Sequence, residues 1–226
     1  MKPHSLLLSL VAAAFLVPLV FLAAYSKAPG NSASVVMAAS SLSLRPLQDG
    51  SNPEQGFRVT SSTFENNQFL PASMIFSGTL GSVCNGGNTS PELSWTSAGP
   101  LTRSYAVTLF DVSANFTHWG VYNISPRVTG LAEGAGAPTN TALLQVYNDA
   151  GIQGYSGPCP PPDIVPNGIH HYIFTVYALD EMLPIDFNLT DFPPQADALY
   201  RAMIGHVINT ASITGLFSCA NSSSCS

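Results

Sequence analysis

Apolar positions run in short blocks along this chain, and most blocks have the length of strands. Ser104 to Asp111 is apolar on both faces, the pattern of a strand buried in the middle of a sheet. His118 to Ile124 and His171 to Leu179 are runs of the same kind, rich in β-branched and aromatic residues, and Thr210 to Phe217 is a fourth. Turn-forming clusters separate them at Asn85 to Asn88, Gly130 to Pro138 and Gly151 to Gly168. One stretch has helical period. Ala196, Leu199, Tyr200, Met203, Ile204, Val207 and Ile208 fall along one stripe, which predicts a helix near the C-terminal end. Asp191 or Asn188 is its expected cap, with Pro193 and Pro194 near the first turn. His206 falls inside this predicted helix and is expected to be structural. There is no internal repeat and no heptad pattern, so the expectation is a mainly β domain with one C-terminal helix.

Composition narrows the class. A chain of 226 residues suits one domain with terminal extensions. Charged residues are scarce while Gly and Pro are abundant, which suits a turn-rich β domain better than a helical bundle. Seven Lys plus Arg stand against thirteen Asp plus Glu. That balance excludes the basic stripe a nucleic-acid partner requires. At the N-terminus Lys2 precedes an almost wholly apolar run from Leu6 to Ala24, and Ala24-Tyr25-Ser26 offers small residues at a cleavage site. This reads as a signal peptide over 1–26 and a secreted or periplasmic protein. The alternative is an uncleaved anchor over 6–24, since the run approaches the ~20 residues that span a bilayer. A Ser-, Ala- and Gly-rich linker over 27–55 follows. Membrane contact is expected only through the signal segment or by headgroup binding.

Two segments carry the candidate chemistry. One is Asp111-Val112-Ser113-Ala114-Asn115-Phe116-Thr117-His118-Trp119. The other runs from Gly154-Tyr155-Ser156-Gly157-Pro158-Cys159 to Gly168-Ile169-His170-His171-Tyr172. Side chains alternate along a strand, so His170 and Tyr172 share a face and His171 points away. By the same rule His118 shares a face with Gly120, and Trp119 faces away. Imidazole and phenol groups donate to phosphate or carboxylate oxygens, and a Gly-containing loop offers backbone N–H groups to an anion. Asp111 is expected to orient a histidine. The pocket predicted from these segments is formed by Asp111, His118, His170 and Tyr172, closed by Gly157 and Pro158, and binds a small anion. Competing motifs fail. Gly154-Tyr155-Ser156-Gly157-Pro158 lacks the last glycine of a nucleophile elbow, and no phosphate-loop or dinucleotide fingerprint is present. Asp111, His118 and His170 lack the spacing of a zinc site, so no metal and no cofactor is read. An Asp-His dyad without an assured nucleophile leaves hydrolysis as an alternative only.

Over about Phe64 to Phe217 the chain resembles the phosphatidylethanolamine-binding proteins, specifically the bacterial Raf-kinase-inhibitor-like branch. The resemblance rests on Asn88-Thr89-Ser90-Pro91-Glu92-Leu93-Ser94-Trp95, Ser104-Tyr105-Ala106-Val107, Asp111, His118-Trp119, Asn148-Asp149 and Gly154-Tyr155-Ser156-Gly157-Pro158. It continues through His170-His171-Tyr172-Ile173-Phe174-Thr175-Val176-Tyr177-Ala178-Leu179-Asp180 to Ala211-Ser212-Ile213-Thr214-Gly215. It implies a two-sheet antiparallel β-sandwich with Greek-key-like connections over 56–218, and it places the same Asp, His and Tyr positions at the ligand site. The family's Asp-Pro-Asp-x-Pro loop reads Asp111-Val112-Ser113-Ala114-Asn115 here. Ser113 therefore stands where an aspartate is expected, with a hydroxyl that can donate to an anion, and both prolines are gone. The resemblance implies non-catalytic binding of a phosphate-bearing ligand. It also admits a secreted inhibitor or regulator of a protease or other protein. The oligomeric state is left open, a homodimer included.

Four cysteines in an exported chain suggest two disulfides, with three connectivities open. Cys219 and Cys225 lie close together in a Ser-rich tail over 219–226 and can close a small loop. That leaves Cys84 with Cys159, a bridge that would brace the pocket rim.

Overall fold

In the computed structural model the described residues are 56–78, 83–160, 168–185 and 195–225. The signal-peptide and linker expectations over 1–55 lie outside them. In chain order the elements are β1 (Val59–Thr60), β2 (Gln68–Phe69), β3 (Leu93–Trp95), β4 (Ser104–Asp111), β5 (Phe116–Ile124), β6 (Gly130–Leu131), β7 (Leu144–Gln145), β8 (His170–Leu179), α1 (Ala196–Met203) and β9 (Val207–Phe217). A six-stranded sheet has the order β2-β9-β8-β4-β5-β7, and a three-stranded sheet has the order β1-β3-β6. Within the wide sheet β4, β5 and β7 follow one another, and β8 then returns to lie beside β4, which is a Greek key. All its pairings are antiparallel except β2 with β9, where Gln68–Phe69 runs parallel to Gly215–Leu216. The fold is thus the two-sheet β-sandwich expected, with one parallel edge.

The alternation of side chains explains why both faces of β4 are apolar. Tyr105, Val107 and Leu109 enter the core between the sheets, where Leu93 and Trp95 of the narrow sheet meet them. Trp95 packs edge-on against Tyr105 at 5.6 Å between ring centroids. Ala106 points the other way, into a smaller cluster that α1 closes with Leu199 and Met203. Burial of these strands on both sides is the reason their sequences read as continuous apolar runs.

The helix is shorter than its periodicity predicted. It ends at Met203, because Gly205 takes a left-handed φ of 86° and turns the chain. Val207 and Ile208 start β9 instead and are exposed, and Ile204 is exposed as well. His206 lies in the turn rather than in the helix, hydrogen-bonded to Asp180 and within 3.3 Å of Glu181. The N-cap position is Gln195, without a side-chain cap; Asn188, Asp191, Pro193 and Pro194 lie outside the described residues. β5 begins two residues before His118, and β8 begins at His170.

Candidate functional site

Asp111 ends β4 and Tyr172 lies directly opposite it in β8, so both point to the same face of the wide sheet. Two residues back along β8, His170 shares that face, and its Nδ1 lies 2.6 Å from Asp111 Oδ2 in a fully buried pair. The second carboxylate oxygen is also occupied. Oδ1 accepts from the backbone N–H groups of Ser113 (2.8 Å) and Ala114 (3.2 Å), which folds the loop after β4 back on itself. Asp111 is therefore saturated by its own surroundings, and its charge is spent holding an imidazole and a turn. The imidazole's other nitrogen, His170 Nε2, is buried and meets no hydrogen-bond partner among the described residues.

His118 joins this group through an irregularity. Leu109 pairs with Trp119 and Phe110 with Thr117, so one extra residue of β5, His118, is squeezed between two rungs. This β-bulge resets the side-chain parity. The strict alternation expected along β5 does not hold: His118 and Trp119 both face the sandwich interior, while Gly120 faces Val146 and Leu199 beneath α1. The loop after β7 satisfies the backbone groups that the bulge frees. Asp149 Oδ2 accepts from Thr117 N–H at 2.7 Å, and Asp149 N–H donates to Thr117 O. Buried Asn148 donates through Nδ2 to His118 O and Gly154 O, and its Oδ1 accepts from the N–H groups of Ala150 and Ile152.

The result is a cavity of about 110 Å³ lined by Asp111, Ala114, Phe116, His118, Cys159, Pro160 and Tyr172; His170, expected in the lining, instead stands behind Asp111. The His118 ring lies 5.3 Å from that of Tyr172, edge-on, and 4.7 Å from that of Phe116. His118 Nδ1 donates to the carbonyl of Ser156 at 2.9 Å, which fixes the tautomer and leaves Nε2 for the cavity. Burial pushes the His118 pKa below its ordinary value, against the opposing pull of the Ser156 carbonyl and of Asp111. At neutral pH its Nε2 is therefore a hydrogen-bond acceptor. Burial, with the Asp111 carboxylate close by, holds the Tyr172 phenol protonated.

The structure thus brings Asp111, His118, His170 and Tyr172 together. Gly157 and Pro158 stand one step behind the cavity wall, which Cys159 and Pro160 supply. Gly157 N–H donates to Asn88 Oδ1 at 2.7 Å, and a Cβ on Gly157 would lie 2.2 Å from Met74 O, so close backbone packing requires glycine there. Pro158 O accepts from Phe76 N–H. Ser113 does not line the cavity; its hydroxyl oxygen accepts from His171 N–H at 3.1 Å and ties the loop to β8. Residues not singled out as site residues complete the design. Asn148 and Asp149 shape the bulge, Phe116 walls the cavity, and Tyr155 donates to Met74 O at 2.8 Å beneath the same loop. The turn-rich composition around Asn148 was the available signal.

Both expected disulfides are present. Cys84–Cys159 has Cα atoms 5.8 Å apart, and Cys219–Cys225 has them 5.3 Å apart. The metal-type grouping among the described residues is Cys84, Cys219 and Cys225, all engaged in these bridges. A larger cleft of about 410 Å³ lies on the other face of the wide sheet, against Thr108, Phe110, Ile173, Thr175, Tyr177 and Tyr200. None of these residues carries a charge at neutral pH, and the cleft is separate from the Asp–His group. No helix among the described residues is long and apolar enough to cross a membrane.

A two-sheet sandwich with an Asp–His pair sealed beside a small cavity, at the end of its central strands, defines a class of β-sandwich pocket proteins. Comparison with known proteins gives that class a family. A sequence model described as phosphatidylethanolamine-binding protein matches residues 60–218. The UPF0098 protein YbcL of Escherichia coli is 38% identical over 175 residues, covering 71% of this chain and 87% of YbcL. The UPF0098 protein PH1269 of Pyrococcus horikoshii is 35% identical, covering 74% and 80%. The crystal structure of E. coli YbcL, presented as a new member of the mammalian PEBP family, superposes with a TM-score of 0.61 at 36% identity, covering 72% of this chain and 98% of that one. A homologue of that family from Chlamydia trachomatis gives 0.56 at 31% identity, covering 73% and 98%. The chain belongs to the phosphatidylethanolamine-binding protein family.

Proposed function

We propose that this protein binds a small phosphate-bearing or carboxylate ligand in the cavity lined by Asp111, His118 and Tyr172, with His170 behind Asp111, and does not transform it. The observation that carries this reading is His170 Nε2, buried with no hydrogen-bond partner among the described residues, on a ring held by Asp111 of the cavity wall. A buried nitrogen without a hydrogen bond is a place that a ligand completes. With Asp111 saturated by its own neighbours, no free carboxylate confronts an anion there. A ligand at Nε2 would complete the ring's hydrogen bonding, the other ring nitrogen being held by Asp111. The cavity is small, about 110 Å³.

The neutral His118 refines the choice. Its Nε2 accepts, so the pocket favours a ligand that offers both an acceptor and a donor. Hydrogen phosphate and the phosphoethanolamine headgroup do; sulfate offers acceptors alone. Near neutral pH, phosphate is expected to bind about tenfold more tightly than sulfate, the worth of one net hydrogen bond. The preference shrinks as falling pH charges His118. Calorimetric titration of both anions across about pH 5 to 8, the range in which imidazole changes charge, checks this. Alanine at His118 or His170 is expected to cost roughly 1–3 kcal/mol of phosphate binding. Equal phosphate affinity in both variants would sink the proposal. The Asp111–His170 contact also has acid–base geometry, which favours hydrolysis as a second reading. Release of inorganic phosphate from a bound phosphomonoester, lost in His170→Asn, would establish that reading and overturn the first.

A further inference from the structure

The two disulfides are not independent braces. The Sγ of Cys225 lies 3.9 Å from the Sγ of Cys84, across the gap between the bridges, and Cys219 Sγ is within 4.8 Å of both. The backbones at Cys84 and Cys225 already face each other as an antiparallel pair, held by Asn85 N–H donating to Ser224 O at 2.7 Å. The two bridges also differ in access. Cys84 is buried while its partner Cys159 is half-buried, and their bridge spans 75 residues. Cys219 and Cys225 are half-buried, close a loop of only six residues, and have exposed Ala220 and Ser223 between them. An external thiolate therefore meets two half-buried residues at the tail bridge and only one at the Cys84–Cys159 bridge. The far end of this sulfur chain, Cys159, stands in the wall of the cavity.

We propose that the four cysteines form a thiol–disulfide exchange site through which an external dithiol, acting on Cys219–Cys225, frees the Cys159 thiol at the cavity wall. In the first step the dithiol gives up two electrons and two protons and closes its own disulfide. The Cys219–Cys225 bond breaks and both sulfurs become thiols. In the second step Cys225, its proton released to solvent, attacks Cys84 Sγ as a thiolate. A Cys225–Cys84 bond forms and the Cys84–Cys159 bond breaks. The electron pair leaves on Cys159, which takes a proton from solvent. No net oxidation occurs in this step, and the attacking sulfur is already in place because the paired backbones hold it there. The product carries one bridge, Cys84–Cys225, and free thiols at Cys159 and Cys219. The cavity thereby gains a thiol beside His118 and loses the covalent tie between its rim and the 83–88 segment.

The exchange is measured without any ligand, so it stands or falls apart from the binding reading. The full protein is treated with equimolar dithiothreitol, quenched with acid, alkylated and mapped by mass spectrometry. The expected products are a Cys84–Cys225 linked peptide and alkylated Cys159 and Cys219. Alkylation confined to Cys219 and Cys225, with Cys84–Cys159 intact, overturns the proposal. A second measurement uses Cys219→Ser, which leaves Cys225 as a thiol with no reductant present. Near pH 8.5, about the ordinary thiol pKa, label is expected to appear on Cys159 at the expense of Cys225. Label that stays on Cys225 alone again refutes exchange. In Cys219→Ser/Cys225→Ser the attacking thiols are gone, and Cys84–Cys159 is expected to open about tenfold more slowly at the same dithiothreitol concentration. Equal opening rates would show direct reduction from solvent instead.

Discussion

His118 shows how one side chain is assigned a chemical state by its neighbours. The Ser156 carbonyl takes the Nδ1 proton, and burial disfavours the charged ring. The folded pKa lies below the ordinary value of 6.5, so in acid the unfolded chain takes a proton that the native protein refuses. The stability tied to neutral His118 is complete above pH 6.5 and is lost as the pH falls from there toward the lower folded value. Thermal melts over this interval are expected to fall more steeply for the wild type than for His118→Gln, which has no proton to gain. Parallel curves would show that His118 does not carry the effect. At this scale the sequence was partly legible. The two-residue spacing of His170 and Tyr172 sets their common face in any regular strand. The role of Ser113 was not legible, because a hydroxyl's partner depends on which strand lies beside the loop, and here that partner is His171 N–H.

Among the elements, β5 is the one whose irregularity makes the site. Without the bulge at His118 the imidazole would turn to the α1 side with Gly120, away from Asp111. Buried Asn148 holds that bulge through one hydrogen bond to His118 O and folds its own loop with three more. Asn148→Ala leaves these backbone groups unpaired and is expected to cost on the order of 3 kcal/mol of unfolding free energy. It should also move the His118 ring resonances in NMR spectra more than those of His206, which lies in the remote turn. A bulge is invisible to a period-two pattern, since the extra residue is identified only by what pairs across the ladder. The helix end, by contrast, had a local signal. Gly205 interrupts the stripe, but the apolar residues beyond it continue a helical spacing by coincidence while belonging to β9.

For the molecule as a whole, the long apolar runs of the buried central strands indicated a mainly β domain, and the family resemblance implied the two-sheet sandwich. The short strands β1, β2, β6 and β7 were not legible, since two residues carry no period. Their pairings hold the domain's ends together: β2 lies along β9. A chain stopped after Gly205 lacks β9 and exposes the full edge of β8, a pairing that runs from His170 to Leu179. Such a chain is expected to show no cooperative thermal transition by circular dichroism, and a sharp melt would refute the dependence. Every strand pairing with β9 would be lost at once.

The parallel pairing of β2 with β9 also puts a clock on assembly. A polypeptide is made from its N-terminus at about 5–20 residues per second, so the first edge strand waits on the order of ten seconds for its neighbour to be synthesised. During that wait Cys84 and Cys159 already coexist, while Cys225, next to last in the chain, has not been made. Birth order alone therefore gives Cys159 the first claim on Cys84, and the rival Cys84–Cys225 bond becomes available only after Cys225 has been added.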